Sequence, residues 1–360
     1  MIEKRRGGMT AEEFLGLFEK SANELDVEYS YTLARDLERF RSDPLLGYRT
    51  AGSRAEAEAG EFLYEKMCEI GLKTEKHPVV LDGWEFFGAT LQYEKEGEQH
   101  CVRLGGYQTN MTVKDLHTQL VDAGKGTEKD FLKTDVRGKI ALIRINQRDE
   151  WWINYPACQA YLAGAVAVIA VQDKGYGEVD PAALNAQDIC GLPHAPAFSM
   201  SKSDMADVLA AMKKGSLDVT LNADSRVTEK VTTYNIVGTI PGQTSQMIAV
   251  SAHYDSYFHG FEDDNCGVSM MLSLARALIR SGYRPQKTLV FIAFAAEEWG
   301  KINSRYDWSA GAFAETTQGQ DDRGHQFRTS RHCARKKTLH PQRIRIQAFS
   351  ARFSQRSQGL

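Results

Sequence analysis

"QMIAVSAHYDSYFHGFEDDNCGVSMMLSLARALIRSGYRPQKTLVFIAFAAEEWG", residues 246–300, reads as strand, loop, helix, strand. The apolar run Met247–Val250 has the length of a buried strand, and "CGVSMMLSLARALIRSG" carries apolar residues at helical spacing. "LVFIAFAA" is a second run that must be buried. A strand–helix–strand unit of this kind builds an α/β sheet with a parallel core. Each strand ends on polar residues. His253 and Asp255 follow the first, Glu297 and Glu298 follow the second, and Asp263 stands in the loop before the helix.

The chain upstream extends the alternation. Residues 10–41 have helical apolar spacing, and "SDPLLGYRTAGS" is a turn-rich break. Ser53 is placed to cap the amphipathic helix "RAEAEAGEFLYEKMCEIGL". "TEKHPVVLDGWEFFGATLQYEK" is rich in β-formers and is expected to give two strands. Between about 103 and 230 lies a block of different character, in which "GKIALIRI" is a buried strand. There "CQAYLAGAVAVIAVQD" runs from helix to strand, and "APAFSMSKSDMADVLAAMKKG" from strand to capped helix with a glycine stop. "YNIVGTIPG" and "QMIAVSAHYDS" are expected to pair around their Pro-Gly turn. The expected fold is α/β, a mixed, mainly parallel sheet flanked by helices, and it contains no internal repeat.

At 360 residues, with 42% apolar and 25% charged residues, the composition is that of an ordinary soluble globular protein. A formal net charge of −3 gives no reason to expect nucleic acid or an anionic membrane as a partner. No stretch approaches the ~18 apolar residues that span a bilayer, and no apolar segment follows the basic opening "MIEKRRGGMTAEEF". The six cysteines are scattered, which fits reduced thiols and a cytoplasmic location. The charge is unevenly spread: residues 316–360 hold eight Arg and two Lys against two Asp, a net +8, leaving −11 on residues 1–315.

A histidine and carboxylates at the end of a buried strand point to a metal, although an H-x-D triplet alone is more often a loop histidine beside a solvated acid. Asp263 before a helix suits a ligand and equally suits an N-cap. Glu297 and Glu298 sharpen the reading. Adjacent acids at the end of a buried run need a cation or a raised pKa to coexist, and one can ligate while the other acts as a general base.

The segments "AHYDS", "GFEDDNCGV" and "FIAFAAEEWGKINSRYDW", with "AGSRAEAEAGEFLYEKMCEIGL" upstream, resemble the co-catalytic dizinc aminopeptidases. That group is related to bacterial leucyl aminopeptidase, glutamate carboxypeptidase and the transferrin receptor ectodomain. The resemblance spans about residues 40–315, and the 103–230 block is similar to the protease-associated domain inserted in many members. It implies zinc, two ions per complete site, and a peptide substrate. It implies His253 on one zinc, Asp263 bridging both and Glu298 on the second. Glu297 would be the general base toward the water between them, and Asp255 would orient the His253 imidazole. It also implies a cis bond at Asp263–Asp264 and leaves a homodimer open.

The expected organisation is therefore four parts: 1–102, N-terminal helices and the first part of the peptidase domain; 103–230, the insert; 231–315, the zinc peptidase core; and 316–360, a basic, disordered tail. The family supplies an Asp and a His further downstream. Asp321, Asp322, His325, His332 and His340 follow no buried strand and are not assigned to those places. The shift in composition at Thr316 reads as an altered reading frame, so the core is expected to be truncated. A non-catalytic binding or scaffold protein of the transferrin receptor type, or an inactive fragment, is the alternative to an exopeptidase.

Overall fold

The computed structural model describes residues 10–174, 180–189, 193–213 and 215–298. Its helices are α1 Ala11–Ala22, α2 Val27–Leu37, α3 Arg54–Ile70, α4 Glu128–Phe131, α5 Asn154–Leu162, α6 Lys202–Ala211 and α7 Cys266–Arg280. The strands are β1 Lys73–Lys95, β2 Glu98–Gly106, β3 Met111–Asp122, β4 Ile140–Asn146 and β5 Ala167–Lys174. They continue with β6 Ala197–Met200, β7 Ser216–Ile240, β8 Thr244–His253 and β9 Lys287–Phe294. Ser53 caps α3 by accepting the Glu56 amide at 3.0 Å, and Gly71 closes the helix at φ 95. Ser201 caps α6 in the same way.

The two long strands organise the chain. β1 and β7 form an antiparallel ribbon from Lys73↔Thr239 to Tyr93↔Val219. One end of the ribbon belongs to an open sheet of order β1-β7-β9-β8, and its other end closes a ring β1-β2-β6-β5-β4-β3-β7. The sheet is mixed, not mainly parallel: β3–β4, β4–β5, β5–β6 and β8–β9 are parallel, whereas β1–β2, β1–β7, β2–β6, β3–β7 and β7–β9 are antiparallel. Only strands joined through helices or long connections run parallel here; the ribbon forces its own neighbours to alternate.

Two pairings differ from expectation for identifiable reasons. "TEKHPVVLDGWEFFGATLQYEK" is one strand, not two, because register shifts at Leu81/Gly83 and Phe86/Gly88 bend it without reversing it. Gly83 is needed there: a Cβ on it would meet the Gly52 carbonyl oxygen at 2.9 Å. β7 and β8 do not pair around the Pro-Gly turn, since β9 lies between them. Gly242 makes room for the start of β9; a Cβ there would lie 2.3 Å from the Lys287 carbonyl carbon.

Strands β4, β5 and β6 of the ring are buried on both sides, which explains their apolar runs. Ile140 and Leu142 face the interior with Trp84, Phe86 and Leu221, while Ala141, Ile143 and Ile145 pack outward on Ala157 and Ala160 of α5. In the open sheet, α3 and α7 cover one face through Leu63, Met67, Leu272 and Ala275 against Ile236, Phe291 and Ala293. Removing a core aromatic such as Phe291 by truncation to Ala is expected to cost about 3–5 kcal/mol.

β8 is less buried than "MIAV" suggests. It has a strand neighbour on one side only among the described residues, and Met247 and Ile248 are 41% and 47% exposed. Only its last residues, Ala252 and His253, are buried. A long uncharged edge invites pairing with other chains. Ile248→Lys is expected to reduce self-association, read by light scattering against concentration, with stability changed by no more than about 0.5 kcal/mol.

Candidate metal centre

β8 and β9 are adjacent and parallel, with His253 opposite Phe294. Their C-terminal ends therefore reach one edge together, the position at which open α/β sheets present ligand-binding side chains. His253 is the last residue of β8, and Glu297 and Glu298 follow two buried alanines after β9. The loop to α7 brings a third segment: an irregular turn Phe261–Asn265 in which Asp263 and Asp264 leave helical geometry. The Asp263–Asp264 peptide is cis, as the resemblance implied.

His253, Glu297 and Glu298 form a compact group, each offering a ligand atom within 4.8 Å of the others. Asp263 adjoins it through Oδ1, 3.0 Å from His253 Nε2. Asp264 Oδ2 lies 3.9 Å and Glu297 Oε2 4.0 Å from the same nitrogen. The other ring nitrogen, Nδ1, faces the Asp255 carbonyl at 3.0 Å and the Asp255 carboxylate at 3.3 Å. Nδ1 is thus held from behind while Nε2 points into the acids, the usual arrangement for a metal-binding imidazole.

Asp255 does more than face the histidine. Its Oδ1 accepts the Glu297 amide at 3.0 Å and its Oδ2 the Glu298 amide at 3.1 Å. One buried carboxylate thereby fixes the backbone of both glutamates relative to His253. Tyr257 completes the frame by donating its hydroxyl to the Glu298 carbonyl at 2.7 Å. Asp264 anchors the loop, accepting the His253 amide at 3.2 Å and the Gly267 amide at 3.0 Å.

The electrostatics call for positive charge. Burial opposes a charged His253, but hydrogen bonds to Asp255 and Asp263 outweigh it and push the imidazole up to about 12. His253 in turn holds Asp263 below the ordinary carboxylate range. Burial, then the Asp255 charge, pushes Glu298 up to about 8, and burial also raises Glu297 and Asp264. A divalent cation at Nε2 replaces that proton with a larger charge. The donors fit zinc: imidazole nitrogen and carboxylate oxygen are its usual ligands. His253 Nε2 and the carboxylates of Asp263 and Glu298 could hold such an ion, with Glu297 beside them.

Beneath the site are groups that sequence reading passed over. Arg49, Glu56 and Asn265 are fully or almost fully buried. Glu56 sits in the first turn of α3, where an acid looks solvated, yet both its oxygens accept Thr233 Oγ1, at 2.6 and 2.7 Å. Burial pushes it from the ordinary 4.5 to about 7, against hydrogen bonds from Thr233 and Tyr254 that pull it down. Between those values the folded chain keeps a proton the unfolded chain has released, so this group's contribution to stability falls as pH rises. Glu56→Gln is expected to flatten that decline, read by thermal melts near about pH 5 and about pH 8.

Comparison with known proteins identifies the segment that carries these residues. Residues 235–320 match the model of peptidase family M28. The chain is 28% identical over 270 residues to aminopeptidase YwaD of Bacillus subtilis, covering 72% of this chain and 54% of that one. It is also 28% identical over 262 residues to the probable leucine aminopeptidase 2 of Aspergillus oryzae, covering 72% and 50%. The structure aligns with a zinc aminopeptidase from Bacillus subtilis at a TM-score of 0.58 and 26% identity, over 77% of this chain and 63% of that one. The chain spans about half the length of the curated relatives it matches. The M28 segment contains His253, Asp255, Asp263, Glu297 and Glu298.

Proposed function

We propose that this chain belongs to a zinc-dependent peptidase that removes N-terminal residues from peptides. The observation that carries the reading is the compact His253–Glu297–Glu298 group at the joint ends of β8 and β9, tied together by Asp255. His253, Asp263 and Glu298 would hold zinc, two ions in the complete site. The chemistry zinc supplies when bound is polarisation of the scissile carbonyl and acidification of a water. Glu297, half exposed and raised by burial, would take a proton from the attacking water and return one to the leaving amine. Asp255 keeps the imidazole Nδ1 oriented so that Nε2 stays available to metal. The 103–230 block is read as a protease-associated insert, whose strands β3 to β6 close the ring with β2 on the β1–β7 ribbon.

Several parts of this reading rest outside the described residues. The further Asp and His ligands implied by the resemblance would follow Glu298, and the tail 316–360 read as an altered frame also lies there. No helix among the described residues is long and apolar enough to cross a membrane. Among the described residues Cys68, Cys101, Cys158 and Cys266 form no disulfide. A binding protein on the same fold is the second reading.

Hydrolysis of leucine p-nitroanilide by the full chain, with and without a chelator, separates the two readings. Turnover lost to the chelator and restored by zinc is the expected result. A chain that binds zinc without any turnover supports the binding protein.

A further inference from the structure

We propose that Arg49 is a positioning residue of the metal centre, clamping the strand that carries His253 to the loop that carries Asp263. The inference rests on the zinc reading of that site. Arg49 is 1% exposed, and a buried guanidinium is costly unless its donors are used. Here all three nitrogens are used, and each reaches a different segment. Nε donates to the Tyr254 carbonyl at 2.5 Å, which lies between His253 and Asp255. Nη1 donates to the Leu37 carbonyl at 2.6 Å, at the end of α2. Nη2 donates to Asn265 Oδ1, the side chain that follows the Asp263–Asp264 pair.

Asn265 extends the clamp. Its Nδ2 donates to the carbonyls of Ala34 and His259, each at 3.3 Å, and its amide to the Gly260 carbonyl at 3.0 Å. Both ends of the ligand loop are therefore referred to α2 and, through the guanidinium, to Tyr254. The Arg49 backbone adds a reciprocal pair with Ser256, at 3.0 and 2.8 Å. None of the three acceptors is a carboxylate. The charge of Asp255 favours the buried cation from a distance, while the bonds go to backbone and carboxamide. Such a group holds geometry more than it neutralises charge. A planar fork can span three divergent acceptors, and a lysine ammonium cannot.

The test compares Arg49→Lys and Asn265→Ala with the unmodified full chain, using two readouts. Zinc alone, in competition with a chromophoric chelator, is expected to bind each variant about 10–100-fold more weakly, as for other groups that orient metal ligands. Hydrogen exchange is expected to speed up in residues 253–256 and 260–267 while α3 keeps its protection. Zinc affinity within about twofold of the unmodified chain, in folded variants, would overturn the clamp. So would exchange that speeds up equally in α3, which marks general loss of stability. If the unmodified chain binds no zinc, the proposed function fails, and the exchange pattern alone decides for or against the clamp. If Arg49→Lys does not fold, Asn265→Ala gives the decision.

Discussion

Glu297→Gln is expected to lower peptide hydrolysis by about 10²–10⁴-fold, the range for a general acid–base group, while zinc affinity changes little. The substitution keeps the shape of the side chain and the backbone amide that donates to Asp255 Oδ1. It removes the negative charge and with it the ability to accept a proton. Glu297 is the more exposed of the two glutamates, with 48% of its side chain open, and its Oε2 is 4.0 Å from His253 Nε2. That places it beside the metal-binding nitrogen with access to a substrate. Single-turnover assays with a leucine p-nitroanilide, run beside zinc titration, check both halves of the expectation. A large loss of zinc affinity in this variant would instead make Glu297 a ligand and leave the base unassigned.

Asp255→Asn is expected to weaken both the fold and the site. Asp255 is 1% exposed and serves three neighbours: the amides of Glu297 and Glu298, and the Nδ1 edge of His253. An asparagine retains one acceptor and turns an NH₂ toward a donor. It also leaves the buried Arg49 guanidinium without the negative charge that favours it. Removing one member of a buried charge set costs about 3–5 kcal/mol, and losing the orienting partner of a metal-binding histidine costs about 10–100-fold in metal affinity. Urea denaturation gives the first quantity and chelator competition the second. If stability falls while zinc affinity holds, Asp255 supports the fold but does not orient the histidine.

The candidate site was more legible in the sequence than the sheet that presents it. His253 and the glutamate pair stand directly after apolar runs, and two strands joined by one helix bring such ends together whatever the rest of the topology. The caps of α3 and α6 were legible because Ser53 and Ser201 act on amides three residues away. The long-range choices were not. Nothing local in "LDGW" says whether Asp82–Gly83 reverses the chain or bends it; the answer lies in Gly52, whose backbone packs against Gly83. The placement of β9 between β7 and β8 likewise depends on contact between Gly242 and Lys287, more than forty residues apart. β4 and β5 show why parallel order was overestimated. Their apolar runs do mark two-sided burial, but in a closed ring and not in an open layered sheet.

The buried polar groups under the site were illegible for a related reason. Arg49 lies in a turn-rich stretch and Glu56 in the first turn of a helix, both places where charged residues are ordinarily solvated. Their burial is decided by Tyr254, Thr233 and Asn265, which arrive from distant segments. Asp255 was legible as a partner of His253, whereas its hold on the Glu297 and Glu298 amides required the two strand ends to be brought side by side.

The most direct test of the zinc reading is the metal content of the purified full chain, measured by plasma emission after dialysis, beside that of His253→Ala. The expected result is zinc retained in stoichiometric amount by the unmodified chain and lost from the variant. Zinc absent from both, or retained equally by both, would contradict a metal centre built on His253.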